Sequence, residues 1–512
     1  MSRRLVLGLA FGLAALLTAV APAFADPPTV ATDAGVVRGV EQGPAWVFRA
    51  IPYAAPPVGK LRWRPPRPAA TWTGVRDATA DGPACLQAVF PGGRYNAGGY
   101  SGPVSEDCLT LDVFAPAHAR KAPVMVWIYG GGNVAGADSI APNDGRFFAR
   151  DGVVLVAMNY RLGSFGFFAH PSLTREAGPK SPLADYGLMD QIAALKWVKR
   201  NIAAFGGDPA NVTIFGESAG GDDVLTLMVT PSAHGLFQKA TVQSGGGWGS
   251  AFGPAVYRLS DAEAAGAALA QKLGLPGDAS ADQLRAVPAD KLLAAGAGRS
   301  GQIVVDGRLL TETAAQGFAR GDEAAAPLII GSNTWEASLL PASSDAAYLS
   351  AVSPAVRAAY PEDAADPAKL AQDIFTDAAM GAPARWFAAK ASAKAGAWLY
   401  EFSYVRVARR GKIPGANHTS ENPYVFDTQM IVPNYSAEIV DQDRAVASFM
   451  HSCWVSFAKT GKPACEVGGR AWPAYDPETD ERLDFDSPPA IVAHYRKAQL
   501  DAQEAAAHAG AP

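Results

Sequence analysis

Six short apolar runs rich in Val and Ile recur along this chain, with helical patterns between them. The runs are 123–129 (PVMVWIY), 153–159 (VVLVAMN), 211–215 (NVTIF), 239–243 (KATVQ), 327–331 (PLIIG) and 397–403 (AWLYEFS). A run that stays apolar instead of alternating suits a strand covered on both faces. The clearest helix is 187–204, with Leu188, Ile192, Leu195 and Ile202 at three-to-four spacing. Strands alternating with helices specify an α/β fold, a mostly parallel central sheet flanked by helices. The Ala-rich stretches 260–298 and 345–395 are expected to be helical insertions. No long Pro/Gly/Ser linker divides the chain, so residues 26–512 are expected to form one large domain.

One strand-to-helix joint carries chemistry. Residues 213–223 read TIFGESAGGDD, and Ser218 follows an apolar run and precedes the helix start AGGDDVLTLMV. G-x-S-x-G alone is a weak signal. In this setting it describes a sharp turn whose small neighbours let a strained serine project its hydroxyl. The helix N-terminus beside it favours a developing anion.

A serine needs a base to take its proton, and a third group to fix that base's tautomer. In this fold class the chain order is Ser, acid, His. Of seven histidines, His418 lies in GANHTSENPYVF, a loop following the run 397–403, where an α/β sheet places reactive side chains. His451 sits in a helical run and reads as a packed histidine. The residues alone leave two acids open, Glu336 in IGSNTWEASLL and Asp306 in VVDGRLL, although a DG pair more often marks a turn. Oxyanion donors are expected from the backbone N–H of Ala219 and from Gly131 and Gly132 in IYGGGN.

Composition narrows the setting. Lys+Arg is 44 against Asp+Glu 49, a net charge of −5, which gives no reason to expect nucleic acid or an anionic membrane as partner. Arg3 and Arg4 precede an apolar run to Ala21, and Ala23-Phe24-Ala25 has the form of a cleavage site. Residues 1–25 therefore read as an export signal, by the general or the twin-arginine route, with the mature chain secreted or periplasmic and without stable membrane insertion. Four cysteines in an exported chain allow disulfides; Cys85 and Cys108 would close one loop, Cys453 and Cys465 another. None lies in a CxxC pair, so no zinc site is expected.

Many ordered motifs now resemble one family: FRAIPYAAPPVGKLRW (48–63), SEDCLTLDVF (105–114), VWIYGGGN (126–133), MNYRLGSFGFF (158–168), the stretch 186–221, VQSGG (242–246), HTSENPYVF (418–426) and WPAYDP (472–477). Together they resemble the type-B carboxylesterases, which include cholinesterases and bacterial para-nitrobenzyl esterases, over nearly the whole mature chain. The resemblance implies an α/β-hydrolase fold and a serine carboxylesterase working through an acyl-enzyme, with no cofactor. It assigns Ser218 as nucleophile, Glu336 as acid, His418 as base, and Gly131, Gly132 and Ala219 as oxyanion donors. It implies that Ser244 supports the acid, that Cys85–Cys108 is a disulfide and that Arg62 and Glu106 form an ion pair near it; Cys453–Cys465 has no counterpart.

The chain also departs from the pattern. Around the acid it reads Asn333-Thr334-Trp335-Glu336-Ala337, where the family often has N-x-D-E-G. After the glycines stands Asn133, where an aromatic residue is frequent, so the pocket mouth is expected to be wider or more polar. Asp222 and Asp223 replace small or hydroxyl residues and are expected to be exposed charges at a helix N-terminus. The loop between Cys85 and Cys108 has Phe90, Tyr95 and Tyr100 but no Trp, which argues against choline esters. Uncharged alkyl or aryl esters are the expected substrates, with Trp248 and Phe252 on the acyl side. A lipid, carbamate or toxin ester and, more remotely, a non-catalytic binding module are the alternatives. Oligomeric state is not legible.

Overall fold

The structure, a computed structural model, describes residues 27–90, 94–96, 98–246, 248, 256–296, 301–432 and 436–509. The expected leader and Phe252 lie outside them.

Eleven strands join in one sheet among the described residues. In chain order they are β1 (Val40–Gln42), β2 (Ala45–Pro52), β3 (Thr110–Pro116), β4 (Ala122–Ile128), β5 (Val154–Met158), β6 (Gly207–Glu217), β7 (Lys239–Gln243), β8 (Leu328–Asn333), β9 (Ala397–Phe402), β10 (Glu481–Phe485) and β11 (Ala490–Ala493). Their spatial order is β11-β10-β9-β8-β7-β6-β4-β5-β3-β2-β1. All six sequence-predicted runs are strands, and they form the centre. From β5 to β10 every pairing is parallel; β1, β2, β3 and β11 add antiparallel margins. Successive side chains on a strand point to opposite faces, and β5 and β9 are buried at every position, so both faces of the sheet are covered.

The helix predicted at 187–204 is α1 (Tyr186–Asn201), which tightens into a 3₁₀ turn over Ile202–Phe205. Then come α2 (Ala219–Val229), α3 (Ala382–Ser392) and α4 (Asp441–Thr460). The two Ala-rich stretches are helical insertions, as expected. Leu259–Lys272, Ala281–Arg285 and Ala289–Gly296 lie between β7 and β8; Asp345–Ala351, Pro354–Arg357 and Pro367–Thr376 lie between β8 and α3.

Because β6, β7, β8 and β9 run parallel, their carboxyl ends lie along one edge of the sheet. Ser218, Ser244 and Glu336 all lie within three residues of such an end, and His418 lies on the segment that follows β9. That edge is where open α/β sheets bind ligands.

Both disulfides, Cys85–Cys108 and Cys453–Cys465, are present. Arg62 meets Glu106 through two hydrogen bonds, from Nε at 2.7 Å and Nη2 at 2.6 Å. Its Nη1 donates to the carbonyl of Val287 at 2.7 Å, so the pair also ties the first disulfide loop to the first helical insertion. Among the described residues no helix is long and apolar enough to cross a membrane.

Candidate active site

Ser218 closes β6 and opens α2 with φ 57° and ψ −127°, a conformation that L side chains rarely adopt. Two backbone bonds hold it there: its N–H donates to the carbonyl of Gln243 at 2.8 Å, and its carbonyl accepts from Asp222 at 3.0 Å. The small neighbours are a packing requirement. A Cβ at Gly220 would run into the carbonyl of Ile128, so only glycine lets α2 approach the end of β4 this closely. Ala219 is the first residue of α2, and its N–H is among those with no acceptor inside the helix.

Glu336 and His418 come from loops that are zipped together. Trp335 donates its N–H to the carbonyl of Ala416 at 2.8 Å, Asn333 Nδ2 donates to the carbonyl of Asn417 at 3.0 Å, and the N–H of His418 donates to Ser338 Oγ at 2.9 Å. His418 Nδ1 then faces Glu336 Oε2 at 2.6 Å. The other carboxylate oxygen, Oε1, accepts from Ser244 Oγ at 2.6 Å and from the N–H of Asn333 at 2.7 Å. Glu336 is completely buried and each oxygen has a strong partner, so its orientation is fixed. The structure thus brings Glu336, Ser244 and His418 together as expected, and separates out the two rivals. Asp306 Oδ1 accepts from the N–H groups of Arg308, Leu309 and Leu310, which makes it the anchor of a turn. His451 lies buried between the carbonyl of Val425 and Asp151.

The far edge of the imidazole meets a group that sequence reasoning passed over. Glu217 Oε1 lies 3.2 Å from His418 Nε2, without the alignment of a hydrogen bond. Among the described residues the Ser218 hydroxyl makes no hydrogen bond to Nε2; hydroxyls turn freely, and such bonds are often loose before substrate arrives. Glu421 is a third buried carboxyl, receiving Asn333 Nδ2 at 2.5 Å. Burial drives the Glu217 carboxyl well above the usual carboxylate range, against the lowering effect of the His418 imidazolium. For His418 burial opposes the imidazolium, but Glu217 and Glu336 outweigh it and the balance is upward. Glu217 could have been noticed as the letter before the serine. For Glu421, three residues past His418, the sequence offers no signal that separates it from a surface acid.

Gly131 and Gly132 turn with φ 94° and 65°, and the Gly131 carbonyl accepts from Val134 and Ala135. A Cβ at Gly131 would collide with the carbonyl of Ala135. The turn leaves Gly130 packed against Glu217 and Ser218. A cavity of about 260 Å³ opens beside it, lined by Tyr129, Gly130, Gly131, Asn143, Glu217 and Thr419 among others. Trp248 is half-buried and meets Trp386 edge-on at 5.9 Å.

Two expectations about departures need correction. Asp223 is not an exposed helix charge but fully buried, and Asn133 does not open the pocket mouth: its side chain turns inward, 3% exposed, and donates to Asp223 Oδ1 at 3.1 Å. The helix periodicity explains this, because five residues after Ser218 the chain faces the loop after the glycine turn and α1, not solvent. Asp222 keeps its expected place in the first turn, half-buried.

A strained serine, an imidazole locked to a buried carboxylate and a glycine turn with backbone donors can together attack a carbonyl carbon and receive the resulting oxyanion. Known proteins resemble this chain over nearly its whole length. A profile of the carboxylesterase family matches residues 26–351 and 342–503. The para-nitrobenzyl esterase of Bacillus subtilis (strain 168) is 37% identical over 482 residues, covering 90% of this chain and 94% of that protein. The fumonisin B1 esterase of Sphingopyxis macrogoltabida is 34% identical over 491 residues, covering 91% and 88%. Among solved structures, a PNB esterase superposes with a TM-score of 0.79 at 33% identity, covering 93% of this chain and 99% of that one. A Geobacillus stearothermophilus carboxylesterase does so with a TM-score of 0.79 at 32% identity, with the same coverage. With matches of this length, and with an α/β-hydrolase sheet carrying these loops at its edge, the chain belongs to the carboxylesterase family and is a carboxylic ester hydrolase.

Proposed function

We propose that this chain is an exported serine esterase, residues 26–512 forming one catalytic domain, that hydrolyses small uncharged alkyl or aryl esters through an acyl-enzyme on Ser218. His418 takes the serine proton as Oγ attacks the ester carbonyl. Glu336 holds the imidazole in the tautomer that leaves Nε2 free to accept. The N–H groups of Gly131, Gly132 and Ala219 receive the oxyanion, each such donor lowering the barrier by about 3 kcal/mol. His418 then returns its proton to the departing alcohol, and water repeats the sequence on the acyl-enzyme.

The observation that carries this reading is the 2.6 Å contact between Glu336 and His418, whose Nε2 lies 3.2 Å from Glu217, the residue before a serine held at φ 57°. The leaving alcohol must sit where Nε2 can protonate it, and the cavity lined by Glu217 and Thr419 lies on that side. The two disulfides accord with an exported chain.

The test is Ser218→Ala assayed on para-nitrophenyl acetate and butyrate, with a fluorophosphonate label on the parent protein. The variant should lose activity by ~10³-fold or more, and the label should map to Ser218. Near wild-type turnover in the variant overturns the assignment. An ester panel varying acyl and alcohol length, with one fumonisin-type ester included, then ranks the substrates.

A further inference from the structure

The proposed oxyanion hole is assembled from two separate elements. Gly131 and Gly132 sit on the loop after β4, Ala219 on the first turn of α2. Their N–H groups can converge on one oxygen only if the loop and the helix keep a fixed separation, because misplacement by about 1 Å costs on the order of 10²-fold in rate. The three glycines have no side chains with which to hold that separation. Asn133, the next residue in the chain, has one.

Its polar atoms are tied on every side. Asn133 Nδ2 donates to Asp223 Oδ1 at 3.1 Å, Oδ1 shares the single Tyr160 hydroxyl proton, at 3.0 Å, with the carbonyl of Tyr129, at 2.7 Å, and the backbone carbonyl accepts from the N–H of Gly163 at 2.7 Å. An ionised Asp223 can only accept, which turns the Nδ2 of the amide toward α2. Asp223 lies on α2, five residues beyond Ser218, and its Oδ2 accepts from Gln191 Nε2 of α1 at 2.5 Å. Asp223, Gln191 and Tyr160 are completely buried, so these bonds act without competition from water.

We propose that Asn133 and Asp223 form a strut between the oxyanion loop and the nucleophile's own helix, which makes Asp223 a positioning residue for ester hydrolysis. The inference rests on the assignment of Ser218, Gly131, Gly132 and Ala219 given above. Two of the positions at which the chain leaves the family pattern, Asn133 and Asp223, are each other's partners. Burial also pushes the Asp223 carboxyl up to about 7, against the lowering effect of Gln191 and Asn133. Gln191 Oε1 is buried with no hydrogen-bond partner among the described residues. A protonated Asp223 can donate to it once the Gln191 amide turns over, so the strut keeps both bonds in either charge state. The titratable groups acting on or felt from Asp223 are Asp222 on its own helix, Asp185 before α1, Tyr129 after β4 and Tyr160 after β5.

The test compares Asn133→Ala, Asp223→Ala and the double variant on para-nitrophenyl acetate. It adds affinity for a trifluoromethyl ketone, whose hemiketal places an oxyanion in the hole. Each single variant should lower kcat by ~10–100-fold with KM changed less than about threefold. Ketone affinity should fall by a similar factor, and the double variant should lose little more than the worse single one. Folded single variants with kcat within about twofold of the parent, or losses that multiply in the double, overturn the strut. If Asp223→Ala does not fold, Asp223→Asn joins Asn133→Ala. It should retain kcat within about fivefold, because an amide at 223 can accept from Asn133 and donate to Gln191 Oε1 as the protonated carboxyl would once the Gln191 amide has turned over. Parent-like kcat in folded Asn133→Ala, or a loss in Asp223→Asn as large as that in Asn133→Ala, again overturns the proposal. Ser218→Ala run in parallel separates the two failures: activity there sinks the active-site assignment, whereas an inactive Ser218→Ala beside an unaffected Asp223→Ala sinks the strut alone.

Discussion

Three carboxyl groups surround one imidazole, and their proton balance sets when His418 can act as a base. Glu336 is spoken for by Ser244 and Asn333 on one oxygen and by His418 on the other. Glu217 is the adjustable member: it stands 3.2 Å from Nε2, and its charge favours the imidazolium. Glu217→Gln removes that attraction, so His418 should lose its proton at a lower pH. The acid limb of kcat/KM should therefore move to lower pH; an unmoved or upward-moved limb would contradict the electrostatic role given to Glu217. Ser218 and His418 were legible in the sequence because a motif and a Gly/Asn-rich loop advertise them. Glu217, Glu421 and Asp223 were not, because a carboxylate in a sequence reads as a solvated charge, and only the tertiary structure shows that water has been taken away.

At the scale of elements, the loops carrying Glu336 and His418 behave as one piece, joined by backbone and side-chain bonds between 333–338 and 416–418. What seats that piece on the sheet is aromatic. Phe426, eight residues past His418, packs against Trp127 of β4 at 5.0 Å, Phe148 at 5.3 Å and Phe215 of β6 at 5.6 Å. Truncation by Phe426→Ala should destabilise by about 3–5 kcal/mol and lower kcat more than it raises KM. Melting by circular dichroism and steady-state kinetics check both; an unchanged kcat in folded protein would show that the base loop is held by other contacts. The central strands were legible since an unbroken apolar run such as Val154–Met158 has few other readings. The margins were not. Thr110–Pro116 is an interior strand, yet it carries a buried Asp112 that breaks the apolar signal, and Val40–Gln42 is too short to show any period.

For the whole molecule, the two disulfides and the proposed leader point to one compartment. Protein recovered outside the cytoplasm should begin at Asp26 by N-terminal sequencing. It should show no free thiols when denatured and four after reduction. Reduction should also lower the melting temperature, since the Cys85–Cys108 bond spans 23 residues and a loop of that size restrains the unfolded chain by about 3 kcal/mol. An intact leader, or titratable thiols before reduction, would place the chain in a different compartment.

The two helical insertions leave the sheet between β7 and β8 and between β8 and β9, whereas the serine turn, the glycine turn and the base loop are braced on β4, β6, α1 and α2. Each insertion nevertheless ends on a tie to that machinery: Ala337, next to Glu336, donates its N–H to Thr376 Oγ1 at 3.1 Å, and Gly301, on the segment that leaves the first insertion, donates its N–H to the carbonyl of Gly132 at 3.1 Å. A library that reshapes what the enzyme accepts should therefore vary the insertions while keeping these two ties fixed, so that the residues that break the bond keep their places.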